Sequence, residues 1–305
     1  MTAIQRVGFI GLGNMGGPMC SHLVRAGFSV TAFDRSSDAL ERVVSAGARG
    51  AGSAVDCAAG VEAVITMLPA PPHVESVLLG AGGEDGVIAA LSPGTVAIDM
   101  STSSVAVGSR VLAAARARGV EVLDAPVAGQ SIGAQAGTLA IYVGGSDSVF
   151  ERARPLLLAM GDAARVFHVG GNGAGYTVKL LLNLMWFIES VAVGEVLTVG
   201  VRAGVSLEKL HAALVGSPAN SVFLERDVRM VLDDGDYDEA FPMQLVTKDL
   251  GLAVDLARDV GVPVELTALV EQIHRRVRNL YGDDAGEISA VRLYEDLAGV
   301  RVRLP

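Results

Sequence analysis

Cysteine and positive charge are both scarce in this sequence. Only two cysteines, Cys20 and Cys57, occur in 305 residues, too few for a disulfide framework or for the four-ligand spacing of a zinc site. The five histidines are scattered without ligand spacing, so we expect no metal site. A chain with no disulfide pattern is typical of a reducing compartment, and the expected location is the cytoplasm.

Lysine and arginine together number 24, against 34 aspartates and glutamates, which gives a net charge of −10. An acidic chain repels the phosphate backbone, and its basic residues form no run longer than the Arg275-Arg276 pair. We therefore expect neither nucleic acid nor an anionic membrane surface among the partners.

No hydrophobic run continues without interruption over the length of a membrane span. Glycines break the apolar stretch at the N-terminus, which the core of a signal peptide would not allow. Residues 178–201 form a longer apolar stretch, which contains Lys179, Asn183, Glu189 and Glu195. Because an ionisable group at the middle of a membrane is costly, we interpret this stretch as a buried central helix.

Hydrophobic residues and glycine, by contrast, are abundant. Hydrophobic residues make up 50% of the chain, the mean hydropathy is +0.44, and glycine occurs 37 times without a Gly-x-y period. These values exclude disordered, low-complexity and collagen-like chains. At about 150 residues per domain, the length predicts two globular domains.

Short β-branched runs alternate with helical stretches in the first half of the chain, which predicts βαβ units and a mostly parallel sheet. The predicted strands are Arg6–Gly11, Ser29–Phe33, Ala63–Leu68, Thr95–Met100, Val120–Asp124, Leu139–Val143 and Arg165–His168, and the helices between them include Met15–Ala26, Ser103–Arg118 and Val149–Met160. After Gly175 helices are predicted over residues 178–203, 206–215, 221–232, 244–260 and 264–281. We predict an α/β domain over residues 1–170 and an all-α domain over residues 171–305.

A glycine-rich turn follows the first predicted strand. Gly11, Gly13 and Gly16 form the pattern Gly-x-Gly-x-x-Gly, and Asp34 closes the second strand 23 residues after Gly11. In a dinucleotide-binding turn the first glycine allows the tight turn, the second lets the backbone approach the pyrophosphate, and the third lets the helix pack on the strand. We therefore predict a dinucleotide site formed by Gly11, Leu12, Gly13, Asn14, Met15 and Gly16.

The residues after the second strand bear on the choice between NAD and NADP. The Asp34 carboxylate can accept hydrogen bonds from ribose hydroxyls and would repel a 2′-phosphate, which favours NAD. Arg35 is placed to meet such a phosphate, although a solvated surface charge is an equally good interpretation. We predict NAD, with NADP as the alternative.

Two polar residues stand out in the apolar stretch after the glycine-rich segment 170–175. On a helix Lys179 and Asn183 are i and i+4 and share one face. Burial lowers the pKa of a lysine towards the range in which it exchanges a proton near neutral pH. The alternative is a structural lysine held by carbonyls or by an acid from another helix.

A loop of small residues follows the predicted strand that ends at Asp124. Its backbone N–H groups could hold a carboxylate, but an ordinary strand-exit turn is the alternative. Later in the chain, Lys248-Asp249-Leu250 at a helix start is a weaker signal.

Taken together, four segments resemble the motifs of the β-hydroxyacid dehydrogenase family, whose members include 3-hydroxyisobutyrate dehydrogenase and tartronate semialdehyde reductase. The segments are GFIGLGNMGGPM, DAPVAGQSIGAQAGTL, GNGAGYTVKLLLN and KDLGLA, in the family's order over nearly the whole chain. The resemblance implies an α/β Rossmann-like dinucleotide-binding domain followed by an all-α domain built on a long interdomain helix. It also implies a homodimer or homotetramer formed through the all-α domain.

The resemblance further implies roles for individual residues. Lys179 would be the catalytic acid/base and Asn183 would orient the substrate. The other implied roles are substrate-carboxylate binding by Ala128, Gly129 and Gln130, closure over the nicotinamide end by Lys248, cofactor contact by Ser101-Thr102, and the adenosine-side turn by Met67, Leu68 and Pro69. The implied reaction transfers a hydride between the nicotinamide and a small β-hydroxy acid or its oxo acid.

The substrate loop departs from the family's usual Asp-Ala-Pro-Val-Ser-Gly-Gly. Ala128 replaces the serine and Gln130 replaces the second glycine, so a hydroxyl is lost and an amide is gained. The backbone donors remain, and we expect an anionic substrate that differs from the usual one, such as an aldehyde acid, a hydroxymethyl acid or a phosphonate. The alternatives are an imine reductase and a non-catalytic dinucleotide-binding module, in which we expect the lysine to be replaced.

Overall fold

Strands and helices alternate as far as Gly170, and the rest of the chain is mainly helical. This architecture comes from a computed structural model that describes residues 3–83, 85–238 and 241–304. The chain divides into two compact units, Met1–Lys179 and Leu180–Pro305.

The first unit contains one mostly parallel sheet in the order β3-β2-β1-β4-β5-β6-β8-β7, with β9 paired to β8. Its strands are β1 (Arg6–Ile10), β2 (Ser29–Phe33), β3 (Arg49–Gly50), β4 (Ala63–Thr66), β5 (Val96–Asp99), β6 (Glu121–Asp124), β7 (Val127–Ala128), β8 (Leu139–Gly144) and β9 (Gly161–Gly170). The six strands β1 to β6 are parallel, and β8 pairs antiparallel with β6 and β7. The order 3-2-1-4-5-6 confirms the Rossmann-like prediction and places a topological switch point at the end of β1.

Helices cover both faces of this sheet. They are α1 (Gly16–Arg25), α2 (Ser37–Ser45), α3 (Ala54–Cys57), α4 (Pro71–Leu79), α5 (Val87–Ala90), α6 (Val105–Arg116), α7 (Gln130–Ala136) and α8 (Asp147–Met160). Side chains alternate between the faces of a strand, and Phe9 of β1 therefore packs in one buried cluster while Ile10 packs in the other. The central strands β4 and β5 are buried at every residue, which explains their nearly continuous apolar sequences.

The second unit is built from helices. They are α9 (Ala174–Arg202), which begins in the first unit, α10 (Leu207–Val215), α11 (Met243–Asp259), α12 (Glu265–Tyr281) and α13 (Ser289–Ala298). Two buried clusters form its core, one around Phe223 and Leu232 and the other around Phe187 and Leu250. The predicted all-α character is therefore confirmed, within the part of the chain that the structure describes.

One stretch differs in geometry from the regular helix predicted over 221–232. It contains two π-helical turns, Phe223–Asp227 and Met230–Asp234. Over so few residues, the spacing of apolar side chains does not distinguish a π-helical turn from an α-helical turn.

Helix α9 meets the length and hydropathy criteria of a membrane-spanning helix, with 39% of its most apolar window buried. Phe187 and Leu197 on this helix are fully buried. Buried side chains of this kind are expected of the central helix that was predicted from the sequence. The exposed apolar side chains on the same helix are Leu181, Met185, Val196 and Val199.

Glu287 is a buried carboxyl group of the second unit, and we expect it to make the stability of the protein fall as the pH rises towards 8. It is 1% exposed, and its Oε2 has no hydrogen-bond partner among the described residues. Burial raises the pKa of Glu287 to about 8, with backbone N–H donors opposing and Asp227 reinforcing the change. Because the folded state holds the proton more tightly than the unfolded state, this contribution to stability is fully present below about pH 4.5 and is lost progressively as pH rises from there to about 8.

We therefore expect Glu287 to lower the free energy of unfolding by about 3 kcal/mol between roughly pH 5 and pH 8, with little further change from this group above that range. Urea unfolding at a series of pH values measures this change in the free energy of unfolding. Glu287→Gln should flatten this part of the profile, while Glu208→Gln, at an exposed position, should retain it. An identical pH profile for wild type and Glu287→Gln would contradict the prediction.

Candidate active site

The turn after β1 is shaped for close approach to a ligand. Gly11 has φ of +96°, and a Cβ there would lie 2.3 Å from the Met67 carbonyl oxygen. A Cβ on Gly16 would lie 1.9 Å from the Gly11 carbonyl oxygen, so both positions require glycine. A Cβ on Gly13, by contrast, would have no described heavy atom within 4 Å. The turn is tight where the chain packs on itself and open where a pyrophosphate would approach α1, and it fits a dinucleotide.

Asp34 lies directly after β2 and reaches this turn. Its Oδ2 accepts a hydrogen bond from the Leu12 N–H at 2.6 Å, and its Oδ1 accepts one from the Ser36 N–H at 2.8 Å. Arg35 is exposed. The structure thus brings the acidic residue and the glycine-rich turn together, as a site for the adenosine ribose requires.

The other predicted cofactor residues of the first unit follow neighbouring parallel strands. Met67-Leu68-Pro69 come after β4, and Ser101-Thr102 come shortly after β5. The Leu68 N–H donates to Ser101 Oγ at 2.8 Å, which joins the two segments. Carboxyl ends of parallel strands at a switch point are where ligands bind in such sheets.

The predicted substrate loop has an unusual backbone at Gln130. Gly129 has φ of 127°, and Gln130 has φ of 54°, the one positive value among non-glycine residues in the described ranges. Gln130 is exposed at the start of α7, while Ala128 and Gly129 are half-buried. A left-handed conformation costs a residue with a Cβ about 1 kcal/mol, and such strain is typical of binding and catalytic loops.

Lys179 and Asn183 lie four residues apart on α9 and are both buried, with 8% and 5% of their surfaces exposed. In the second unit, Asn183 Nδ2 donates to Asp249 Oδ2 at 2.8 Å. The other oxygen of Asp249 lies 3.0 Å from Lys248 Nζ. Asp249 therefore joins the two predicted site residues of that unit, a role that its sequence position beside Lys248 alone did not reveal.

The distribution of lysine separates these positions from the rest of the chain. Of the 24 basic residues, 21 are arginines and three are lysines, namely Lys179, Lys209 and Lys248. Lys179 is buried, the Lys248 side chain is 20% exposed, and Lys209 is exposed. Arginine does not release its proton in proteins, whereas a buried lysine can. Two of the three lysines, Lys179 and Lys248, thus lie at predicted site positions in a chain that mostly uses arginine.

Two further buried acids lie at the strand ends of the first unit. Asp99 ends β5 and Asp124 ends β6, and both accept hydrogen bonds from Tyr176 near the start of α9. The sequence showed no sign of these contacts, because the partners are 77 and 52 residues apart. As for metals, no group of three or more histidines, cysteines, aspartates or glutamates suited to one occurs in the described ranges.

Two family models cover most of the chain. Residues 6–170 match the model described as the NAD binding domain of 6-phosphogluconate dehydrogenase. Residues 173–294 match the model described as NAD-binding of NADP-dependent 3-hydroxyisobutyrate dehydrogenase.

Individual proteins are similar over nearly the full length. The chain is 36% identical over 298 residues to 2-(hydroxymethyl)glutarate dehydrogenase of Eubacterium barkeri, covering 97% of each protein. It is 38% identical over 273 residues to 3-hydroxyisobutyrate dehydrogenase of Pseudomonas aeruginosa, covering 88% of this chain and 90% of that one. The solved structure of Mycobacterium tuberculosis 3-hydroxyisobutyrate dehydrogenase with L-serine superposes with a TM-score of 0.87 at 31% identity, covering 96% of this chain and 99% of that one.

Proposed function

Because the chain belongs to the β-hydroxyacid dehydrogenase family, we propose that it oxidises a small β-hydroxy acid, or reduces the corresponding oxo acid, with a nicotinamide dinucleotide. The observation that carries this proposal is the buried Lys179, on the same helix as Asn183. The sequence resemblance gives the same two residues the catalytic and orienting roles.

In the proposed reaction each residue has one task. The nicotinamide, when bound by the turn of Gly11, Gly13 and Gly16, supplies the acceptor for the hydride from the carbinol carbon. Lys179 Nζ takes the hydroxyl proton of the substrate during oxidation and returns it to the carbonyl oxygen during reduction. Asn183, held by Asp249, orients the substrate oxygen. Lys248 is positioned by the same carboxylate and is proposed to act at the nicotinamide end.

Asp34 supports NAD as the cofactor. Its carboxylate lies at the glycine-rich turn, where it can accept hydrogen bonds from ribose hydroxyls and where it disfavours an added phosphate. NADP is the alternative, through Arg35 and through the NADP-dependent enzymes described by the second family model. We further propose a cytoplasmic homodimer or homotetramer, for which the exposed apolar side chains of α9 offer a surface.

The relatives suggest the substrate's common part. 3-Hydroxyisobutyrate, L-serine and 2-(hydroxymethyl)glutarate each carry a hydroxymethyl group on the carbon that bears the carboxylate, and they differ in that carbon's other substituent. We propose a substrate of this class. The side-chain amide of Gln130, on a left-handed backbone in the predicted substrate loop, favours a substituent with a polar or charged end over a methyl group.

The direct test is the absorbance of the reduced nicotinamide, measured with NAD or NADP and each of these three acids. We expect turnover on at least one of them and faster turnover with NAD. Absence of turnover on every acid, in a protein that binds the dinucleotide, would contradict the proposed reaction.

A variant of Gln130 tests the substrate preference separately. Gln130→Gly should lower the ratio of kcat/KM for 2-(hydroxymethyl)glutarate to that for 3-hydroxyisobutyrate about 10- to 100-fold, the value of one hydrogen bond to a charged group. Because glycine relieves the left-handed strain, the variant should be as stable as wild type or more stable by about 1 kcal/mol. Gln135→Ala, an exposed change in the same helix, is the control. An unchanged ratio in Gln130→Gly would remove Gln130 from the specificity determinants.

A further inference from the structure

Two buried carboxylates stand side by side at the end of the parallel sheet. Asp99 on β5 and Asp124 on β6 are register partners on adjacent strands, and they are 3% and 2% exposed. Neither is among the residues to which the proposed reaction gives a task. Two buried acids in adjacent positions are costly unless donors satisfy both of them.

Asp124 receives its donors from the start of α9. The Gly173 N–H donates to Oδ1 at 2.7 Å, and the Tyr176 N–H donates to Oδ2 at 3.1 Å. These N–H groups lie at the start of the helix, where backbone N–H groups have no carbonyl partner within the helix and where the helix carries a partial positive charge. Asn172, of a type that often caps helices, donates instead to the Val122 carbonyl oxygen at 2.7 Å. A strand residue about fifty positions earlier thus serves as the helix cap.

Asp99 holds the side chain of the same turn. The Tyr176 hydroxyl donates to Asp99 Oδ2 at 2.6 Å, while the hydroxyls of Thr66 and Ser101 donate to Oδ1, each at 2.6 Å. Burial raises the pKa of Asp99, and these hydroxyl donors oppose the change by favouring its charged form. Tyr176 is therefore fixed at both ends, its N–H by one strand and its hydroxyl by the neighbouring strand.

The packing leaves little room for the cap to move. A Cβ on Gly144 would lie 2.5 Å from Asp124 Oδ2, and a Cβ on Gly175 would lie 2.9 Å from the same oxygen. Both glycines therefore allow backbone to close around the carboxylate. Burial raises the pKa of Asp124 to about 6, which leaves it mostly ionised at neutral pH and able to accept from two donors.

Lys179 is three residues beyond Tyr176 on the same helix, and side chains at i and i+3 are neighbours on a helix surface. We infer that Asp99 and Asp124, the strand-end pair, are positioning residues that fix the first turn of α9 and thereby place Lys179 for proton transfer. This inference rests on the proposed function, in which Lys179 is the acid/base. In the proposed reaction, neither aspartate contacts the reacting atoms. Each acts through Tyr176 and the helix.

Two variants test the strand-end pair. Asp124→Asn keeps the shape of the cap but removes its charge and one acceptor, and Tyr176→Phe removes only the hydroxyl bond to Asp99. Because a displacement of about 1 Å can cost about a hundredfold in rate, we expect kcat to fall about 10- to 100-fold in Asp124→Asn and about 5-fold in Tyr176→Phe. The dinucleotide Kd should stay within about twofold, since the glycine-rich turn is unaltered. Asp147→Asn, an exposed acid in the first turn of α8, is the control and should match wild type.

A second readout does not depend on turnover. Mass spectrometry after brief treatment with an amine-acylating reagent gives the labelling of Lys179 relative to the exposed Lys209. Loosening of the helix start should raise this ratio at least about threefold in both variants. If wild type proves inactive on every acid tested, the proposed function fails while this ratio still tests the positioning.

The kcat, the dinucleotide Kd and the labelling ratio of the two variants together decide the inference. Lower kcat with an unchanged dinucleotide Kd and a raised labelling ratio supports the inference. Wild-type kcat and labelling in both variants would overturn it, and so would a lower kcat with an unchanged labelling ratio. Should Asp124→Asn fail to fold, Tyr176→Phe decides by the same two readouts.

Discussion

We expect Lys179→Ala to lower kcat for the hydroxy acid about 10²- to 10⁴-fold, the usual contribution of a positioned acid or base. Dinucleotide binding should persist, because the glycine-rich turn that we assign to it lies elsewhere in the sequence. The variant loses a buried side chain that is 8% exposed, so thermal unfolding should be compared at the same time. Initial rates with NAD and the best acid of the panel measure the effect.

Two control variants sharpen this result. Lys179→Arg retains the positive charge but cannot release a proton at neutral pH, so it should be as inactive as the alanine variant. Lys209→Ala, at an exposed position, should retain wild-type activity. A Lys179→Arg protein with wild-type kcat would show that the site needs a positive charge and no proton transfer, which contradicts the proposed role.

The second large effect concerns the cofactor. Asp34→Asn should weaken NAD binding about 10- to 100-fold, because a hydrogen bond to a charged group contributes about 1.5–3 kcal/mol. NADP binding should be unchanged or tighter, since the variant no longer repels a 2′-phosphate. The ratio of the two dissociation constants, measured by fluorescence titration, therefore moves towards NADP.

Asparagine is the informative substitution here because it keeps an oxygen that can accept the Leu12 N–H, as Asp34 does. Asp38→Asn, an exposed acid in the first turn of α2, serves as the matched control. If wild type prefers NADP and Arg35→Ala abolishes that preference, Arg35 determines the cofactor and our prediction for Asp34 is wrong.

The fold could be predicted from sequence where its signals are local. The strand, glycine-rich turn and helix around Gly11 lie within about twenty residues, and the structure has them as β1 and α1 with ends within one residue of the predicted ones. The parallel pairing of β1 with β2 and β4 agrees with the βαβ units that the alternation predicted. The two-residue strands β3 and β7 were not predicted, because so short a segment carries no alternation of apolar residues.

Features that depend on distant partners could not be predicted. Helix α13 was not predicted, although it is 10 residues long. The buried Glu295 interrupts the apolar face by which such a helix is recognised in a sequence. That carboxylate is satisfied by Arg301 and Arg303 beyond the helix, which no local pattern reveals. Likewise, Asn183 could be placed beside Lys179 by spacing, but Asp249, its partner 66 residues away, could not.

The central claim is a hydride transfer from a carbinol carbon that depends on Lys179. It is tested most directly with a hydroxy acid of the panel carrying deuterium on its hydroxymethyl carbon, incubated with NAD, followed by mass spectrometry of the reduced nucleotide. We predict that wild type places one deuterium in the nicotinamide ring, and that Lys179→Ala yields at most about a hundredth of that product in the same time. Reduced nucleotide without deuterium, or equal yields from the two proteins, would contradict the account.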